Sequence, residues 1–404
     1  MLRSFRLSNH RSFLDDQELL LMPSGPGREH EVLAVAAIYG PNASGKSNLL
    51  DGLRFMARAV DESFRTWRDD QGVPRSPFQI GTRGRLGSST FVVELVIERV
   101  PFTYGFSVDD VAITEEWLYS YPEKRKRILF EREGTELRFG TTLGKIRSPI
   151  EKLGEAFLRP NALFLSLVGQ LNTTPMRPVS NWFAHDLVFR MTGARSANEL
   201  TRRIGSYLGQ GHRGTRQRVI DLLAAADTGI TDLQVERPNP EAPEDTEAGA
   251  WVLRFAHRDA DEMFKIEDES EGTRNWLDLL PSVLDSLDHG CTLVVDEIDA
   301  SLHPLLTVQL LKLFKSNETN PRRAQLIFTT HDTTPLGSYA GREVLARDDI
   351  WFVEKGTDGQ SRLFPLTDFK PRAGENAEKR YLGGSYGAVP VLDDAAFDEP
   401  IGRR

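Results

Sequence analysis

Eight consecutive residues, Gly40-Pro41-Asn42-Ala43-Ser44-Gly45-Lys46-Ser47, constrain this chain more than any others. They follow the pattern G-x-x-x-x-G-K-[ST] without a gap. The apolar run 32–39 precedes them, and residues 48–55 carry a helical pattern. Strand, glycine loop and helix in that order form a cradle for phosphate. The amides of Gly40, Asn42, Ser44 and Gly45, and those opening the helix at Lys46, Ser47 and Asn48, would face the anion. Lys46 would reach the β- and γ-phosphates of a nucleoside triphosphate, and the Ser47 hydroxyl would hold Mg²⁺. An ordinary glycine-rich turn needs neither the Lys-Ser pair nor both flanks.

A second segment, Thr292-Leu293-Val294-Val295-Asp296-Glu297, ends an apolar strand in two adjacent acids. Ligands of open α/β sheets sit at such strand ends. Asp296 is the expected partner of Mg²⁺, and Glu297 is placed to orient or deprotonate the attacking water. Ile298 to Pro304 follows, and the strand Leu326-Ile327-Phe328-Thr329-Thr330 then runs into His331-Asp332. These short, continuous apolar runs suit central parallel strands covered on both faces.

The rest of the chain fits around these two segments. Leu2, Phe5 and Leu7 nearly alternate, and 18–21 is a second short strand. Residues 89–140 hold four β-rich runs split by turn residues, read as an antiparallel meander. Residues 151–235 are expected to be mainly helical, and 237–248 form a Pro- and acid-rich loop. The division expected is 1–150, an N-terminal lobe with the phosphate loop and an antiparallel β subdomain; 151–249, a helical insertion with the acidic loop; and 250–404, a C-terminal lobe. A basic stretch, Arg202, Arg203, His212, Arg213, Arg216 and Arg218, is either a solvated helix face or a nucleic-acid contact.

Composition narrows the partners. Net charge is -9, which excludes a uniformly basic DNA-coating surface but leaves room for a local basic groove. Cys291 is the one cysteine, so no intrachain disulfide and no cysteine-based zinc site can form. That fits a reducing cytoplasm. Residues 1–6 lack the apolar region of a signal peptide. No run approaches the roughly 18 apolar residues of a membrane span. No sustained heptad pattern lies between the phosphate loop and residue 290, so no long coiled-coil arm is expected.

An acid pair, a short acidic loop and a strand ending in His resemble the ABC-type ATPase head: a central mostly parallel sheet with an antiparallel β subdomain and a helical insertion. The resemblance makes Gly40–Ser47 and Asp296-Glu297 the Walker A and Walker B segments. It puts Asp299 in the loop between two heads and makes His331 the switch residue at the γ-phosphate. Glu269-Ser270-Glu271-Gly272-Thr273-Arg274 resembles the signature Leu-Ser-x-Gly-x-Arg, with Glu269 in place of Leu, so that Ser270 and Gly272 would meet a partner's γ-phosphate. Gln170 matches the glutamine that follows a strand and senses Mg²⁺ and water. Arg11-Ser12-Phe13 resembles the segment that chromosome-maintenance heads place beside the nucleotide.

Together with Leu302-His303-Pro304 and the tail segments 347–355, 375–376, 380–382 and 386–390, these residues are similar to ABC-like AAA-family ATPases of the AAA15 (RloA) type. Those occur in abortive-infection and restriction-linked operons and are related to SMC, RecF and overcoming-lysogenisation-defect heads. The resemblance implies a slow ATPase, at least a homodimer, and a partner effector encoded nearby, often a nuclease. The tail after His331 holds no acidic Toprim-like set, so a fused nuclease of that kind is not expected. Three functions remain open: a defence ATPase that holds or releases an effector, a DNA-repair ATPase that clamps DNA, and a nucleotide-gated interaction protein with little hydrolysis.

Overall fold

The near-alternation at the N-terminus becomes strand β1 (Leu2–Ser8), followed by β2 (Gln17–Leu20) and β3 (Val35–Tyr39). Helix α1 (Lys46–Glu62) starts inside the glycine loop, and α2 (Gly81–Leu86) follows. Next come β4 (Ser89–Ile97), β5 (Val100–Val108), β6 (Ile113–Ser120), β7 (Arg127–Glu133) and β8 (Glu136–Phe139). Helices α3 (Arg147–Phe157), α4 (Phe164–Val168) and α5 (Arg177–Asn181) lead to β9 (Leu187–Arg190). Then follow α6 (Ala197–Gln210), α7 (Thr215–Ala225), β10 (Ile230–Glu236), β11 (Val252–His257) and β12 (Phe264–Lys265). Helix α8 (Glu271–His289), β13 (Thr292–Val295), α9 (Ile298–Ser301), α10 (Pro304–Lys315) and β14 (Gln325–Thr329) come next. The chain closes with β15 (Ser338–Tyr339), β16 (Arg342–Glu343), β17 (Ile350–Lys355), β18 (Ser361–Pro365) and α11 (Ala377–Leu382). The computed structural model describes residues 1–25, 31–171, 175–191, 193, 195–210, 214–242, 249–258, 260–371 and 374–390. His212 and Arg213 of the basic stretch, and 243–248 of the acidic loop, lie outside them.

The chain forms an α/β fold in two compact units, Met1–Leu187 with Ile327–Arg404, and Val188–Leu326. In the first unit a seven-stranded antiparallel sheet runs in the order β2-β1-β4-β5-β6-β7-β8. The expected meander of four strands is thus five, and the two N-terminal strands extend it. Alternation sends Phe5, Val93, Tyr104, Leu118 and Phe130 to one face, all fully buried. Helix α1 buries Leu49, Leu53 and Met56, and its Phe55 ring lies 5.0 Å from Phe91. The second sheet of this unit is ordered β18-β17-β3-β14, with β17 parallel to β3 and antiparallel to β18. Every residue of β3 is buried, as a central strand requires.

A buried polar knot fastens the α4 segment to the antiparallel sheet. The Glu116 carboxylate accepts from the amides of Phe164 (2.6 Å) and Leu165 (2.9 Å) and from the Tyr104 hydroxyl (3.0 Å). Arg132 Nη1 stands 3.6 Å away and donates to the Ala162 carbonyl. Burial pushes the Glu116 carboxyl up, while Arg132 and the two amides pull it back. The run 163–168 therefore starts a helix, where a strand leading to Gln170 was expected. Glu116 supplies the acceptor for the first helical amides, which have no partner within the helix.

The second unit holds a three-stranded antiparallel sheet, β10-β11-β12. Helix α8 is its longest element. Ser270 caps it by accepting from Thr273 N at 3.1 Å, and Gly290 ends it at φ 78°. Trp276, Leu277, Leu280 and Val283 form its buried stripe. Of the basic stretch, Arg203 pairs with Asp278, Arg216 with Asp232 and Arg218 with Asp288.

Candidate functional site

Strand β3 delivers the chain to Gly40, and the glycine loop turns into α1 at Gly45. Two positions admit only glycine. A Cβ on Gly40 would lie 2.2 Å from the Val353 carbonyl oxygen of β17. Gly45 has φ 114°, and a Cβ there would lie 2.3 Å from Ser361 Oγ. Lys46 is buried, and its Nζ donates to the carbonyls of Gly40 (2.8 Å) and Pro41 (3.2 Å). His331, just past β14, brings Nε2 to 3.1 Å from Lys46 Nζ. The loop lysine and the strand-end histidine, 285 residues apart, thus meet in one place.

The N-terminal segment flanks the same loop. Asn48 Nδ2 donates to Ser12 Oγ at 2.8 Å. Arg11 is exposed, and its guanidinium pairs with Asp51, one turn further along α1. Asp51 also takes His10 Nε2 at 3.0 Å and Arg54 at 2.8 Å. Burial alone would raise the Asp51 carboxyl, but hydrogen bonds from His10, Arg11 and Arg54 hold it well below the usual carboxylate range. A cavity of about 520 Å³ opens beside this network, lined by Arg11, Ser12, Asn48, Phe78 and Lys355. Asn42 is exposed at the loop tip and Ser47 is half-buried. Gln170 is exposed two residues beyond α4, so it follows a helix and not a strand.

The acid pair lies in the second unit. Asp296 is buried at the end of β13, where its amide donates to the Arg190 carbonyl at 2.8 Å. Glu297 adopts φ 50°, ψ 60°. A left-handed glutamate is uncommon and costs on the order of 1 kcal/mol or more. It ends the strand abruptly and starts α9, where Asp299 is half-buried. Ser270 and Gly272 are exposed at the N-terminus of α8, and a Cβ on Gly272 would meet nothing nearer than Ser270 Oγ at 3.9 Å. Glu269, which stands where the signature has Leu, is buried and accepts from His257 Nε2 at 2.7 Å. The buried carboxylate is thus satisfied at a position where Leu would need no partner.

The loop residues fit a polyphosphate. The Ser44 side-chain oxygen is buried without a hydrogen-bond partner. The glycines leave no side chain between the loop amides and a ligand, and Lys46 supplies charge. Among the described residues, no group of three or more His, Cys, Asp or Glu could hold a metal ion. No helix of the described residues is long and apolar enough to cross a membrane.

Three residues at the site carry no sequence signal or a weak one. Asp51 shares a face of α1 with Asn48 at i, i+3 spacing, which could have marked it. His257 and Ser361 sit in ordinary strands, and only folding sets the one against Glu269 in the second unit and the other against the glycine loop in the first.

The family model described as "AAA domain, putative AbiEii toxin, Type IV TA system" matches residues 35–335. No curated protein matches the chain. Among solved structures, an SmcHead bound to the C-winged helix domain of ScpA is similar at 16% identity and TM-score 0.46, over 92% of this chain and 99% of that one. The Smc head domain with an extended coiled coil, bound to the C-terminal domain of ScpA, from Pyrococcus furiosus gives 13% and 0.44, over 91% and 97%. The Smc head domain with a coiled coil and joint from Pyrococcus yayanosii gives 12% and 0.45, over 92% and 99%.

Proposed function

Because this chain belongs to the AAA-domain family whose model covers residues 35–335, we propose that it is an ATPase that binds ATP with Mg²⁺ on Gly40–Ser47 and hydrolyses it slowly. The observation that carries the reading is Lys46 Nζ lying 3.1 Å from His331 Nε2 within the glycine loop. Phosphoryl transfer to water needs positioning and charge compensation more than covalent chemistry. Lys46 would exchange its loop carbonyls for phosphate oxygens, and His331 would follow the γ-phosphate. Ser47 and Asp296 would hold Mg²⁺, which when bound neutralises charge on the phosphate oxygens. Glu297 would orient or deprotonate the attacking water.

In this reading the site is completed by a second copy, which supplies Ser270, Gly272 and the loop at Asp299. Hydrolysis would then separate two heads that sandwich two nucleotides. The family description names a putative toxin of a type IV TA system; the sensor or scaffold role in anti-phage defence, with an effector partner, rests on the resemblance to abortive-infection ATPases. Ion pairing of Arg203, Arg216 and Arg218 weighs against a DNA clamp at that stretch.

The test is paired. Lys46→Ala should lose ATP binding in isothermal titration. Glu297→Gln should keep binding and lose phosphate release by about 10²-fold or more. Unchanged affinity in the first variant, or wild-type turnover in the second, would remove the corresponding assignment.

A further inference from the structure

Four groups behind the phosphate loop form a connected set of hydrogen bonds. Asn48 Nδ2 lies 2.8 Å from Ser12 Oγ, Ser12 Oγ lies 2.7 Å from Ser361 Oγ, and Ser361 Oγ lies 2.5 Å from the Ser44 carbonyl oxygen. Ser12 and Ser361 are 7% and 2% exposed, so water does not compete. A hydroxyl has one proton and a carbonyl can only accept. The Asn48 amide donates to Ser12 Oγ, and Ser361 Oγ is placed to donate to Ser12 Oγ and, at its shorter contact, to Ser44 O. Since the carbonyl can only accept, Ser361 is the donor in its bond to Ser44 O.

That last bond acts on the phosphate loop itself. The described chain has no cis peptide, so the Ser44 carbonyl and the Gly45 N–H point in opposite directions across one plane. Holding the carbonyl on Ser361 turns the Gly45 N–H the other way. The loop lies directly against the pair: a Cβ on Gly45 would stand 2.3 Å from Ser361 Oγ and 2.7 Å from Ser12 Oγ. Strand β18 is in turn fixed to the N-terminal segment, for the Ser361 amide donates to the Ser12 carbonyl at 2.7 Å.

We infer that Ser361 is a positioning residue for polyphosphate: its hydrogen bond to Ser44 O sets the Ser44–Gly45 peptide so that the Gly45 N–H faces the bound phosphates. The inference rests on the phosphate-loop reading of Gly40–Ser47. It makes the β17–β18 hairpin part of the nucleotide site, since β17 also backs Gly40 through the Val353 carbonyl.

The experiment is titration of wild type, Ser361→Ala and Ser361→Thr with Mg·ATP and with Mg·pyrophosphate, on proteins whose circular dichroism shows them folded. Ser361→Ala should bind both ligands about tenfold more weakly, and Ser361→Thr, which keeps the donor, should stay within about threefold of wild type. Ser361→Ala binding as wild type does would overturn the inference. So would a loss for ATP alone, which would place the residue on the nucleoside side. Equal losses in the Ala and Thr variants would also overturn it, since shape rather than the proton would then matter. A wild type that binds neither ligand would instead refute the phosphate-loop reading. Should Ser361→Ala not fold, Ser361→Cys, with its weak S–H donor, takes its place under the same criteria.

Discussion

Asp51 shows how one side chain can order a whole margin of the site. It gathers His10, Arg11 and Arg54 onto α1, four residues past Ser47. Its folded carboxyl is held below the value of 3.8 expected for the unfolded chain. A depressed acid contributes stability that is complete above the unfolded value and is lost as pH falls toward the folded one. Asp51→Asn should therefore melt lower than wild type at neutral pH. The gap should close as pH drops below about 3.8, as thermal denaturation across pH would show. A constant gap at all pH values would mean that Asp51 acts by packing alone. Gly40, Gly45 and Lys46 were legible as residues because their spacing is itself the chemistry. Ser361 was not, because a serine in a short strand carries no mark until folding sets it against a loop 317 residues upstream.

At the scale of elements, α4 is the instructive case. Leu163 to Val168 is an apolar run broken only by Ser166, and a run that short is compatible with either a buried strand or a buried helix. The choice falls to Glu116 on β6, whose carboxylate accepts the amides of Phe164 and Leu165 at the start of the helix. Arg132 compensates that buried charge. Arg132→Met should leave Glu116 unpaired and cost about 3–5 kcal/mol of stability, measured by chemical denaturation. A loss under about 1 kcal/mol would show that the amides and Tyr104 suffice. By contrast, α8 starts on a local device: Ser270 accepts from Thr273 N, and Glu271 places an acid in the first turn.

For the whole molecule the decisive question is whether one chain suffices for turnover. If Ser270 of one copy serves the Lys46 of another, Lys46→Ala and Ser270→Ala proteins should each be inactive and should rescue each other when mixed. Equal mixing makes half of the dimers mixed, each with one intact site of two, so about a quarter of wild-type ATPase activity should return in a two-fold assembly. No recovery, with dimers confirmed by sedimentation, would put Ser270 outside the catalytic site. The sequence by itself singled out the glycine loop, the acid pair after β13 and the strand-end histidine as candidates, because residue types at a local spacing are enough to mark them. It also determined the α/β class, since apolar runs flanked by turns and helices permit little else. Tertiary structure alone decided that β1 and β2 extend the antiparallel sheet, that α4 is a helix, and that a C-terminal hairpin backs the phosphate loop. Those outcomes depend on partners tens to hundreds of residues away. Burial makes such partners obligatory, because a buried amide, carbonyl or carboxylate must find its hydrogen bond wherever the fold can supply one.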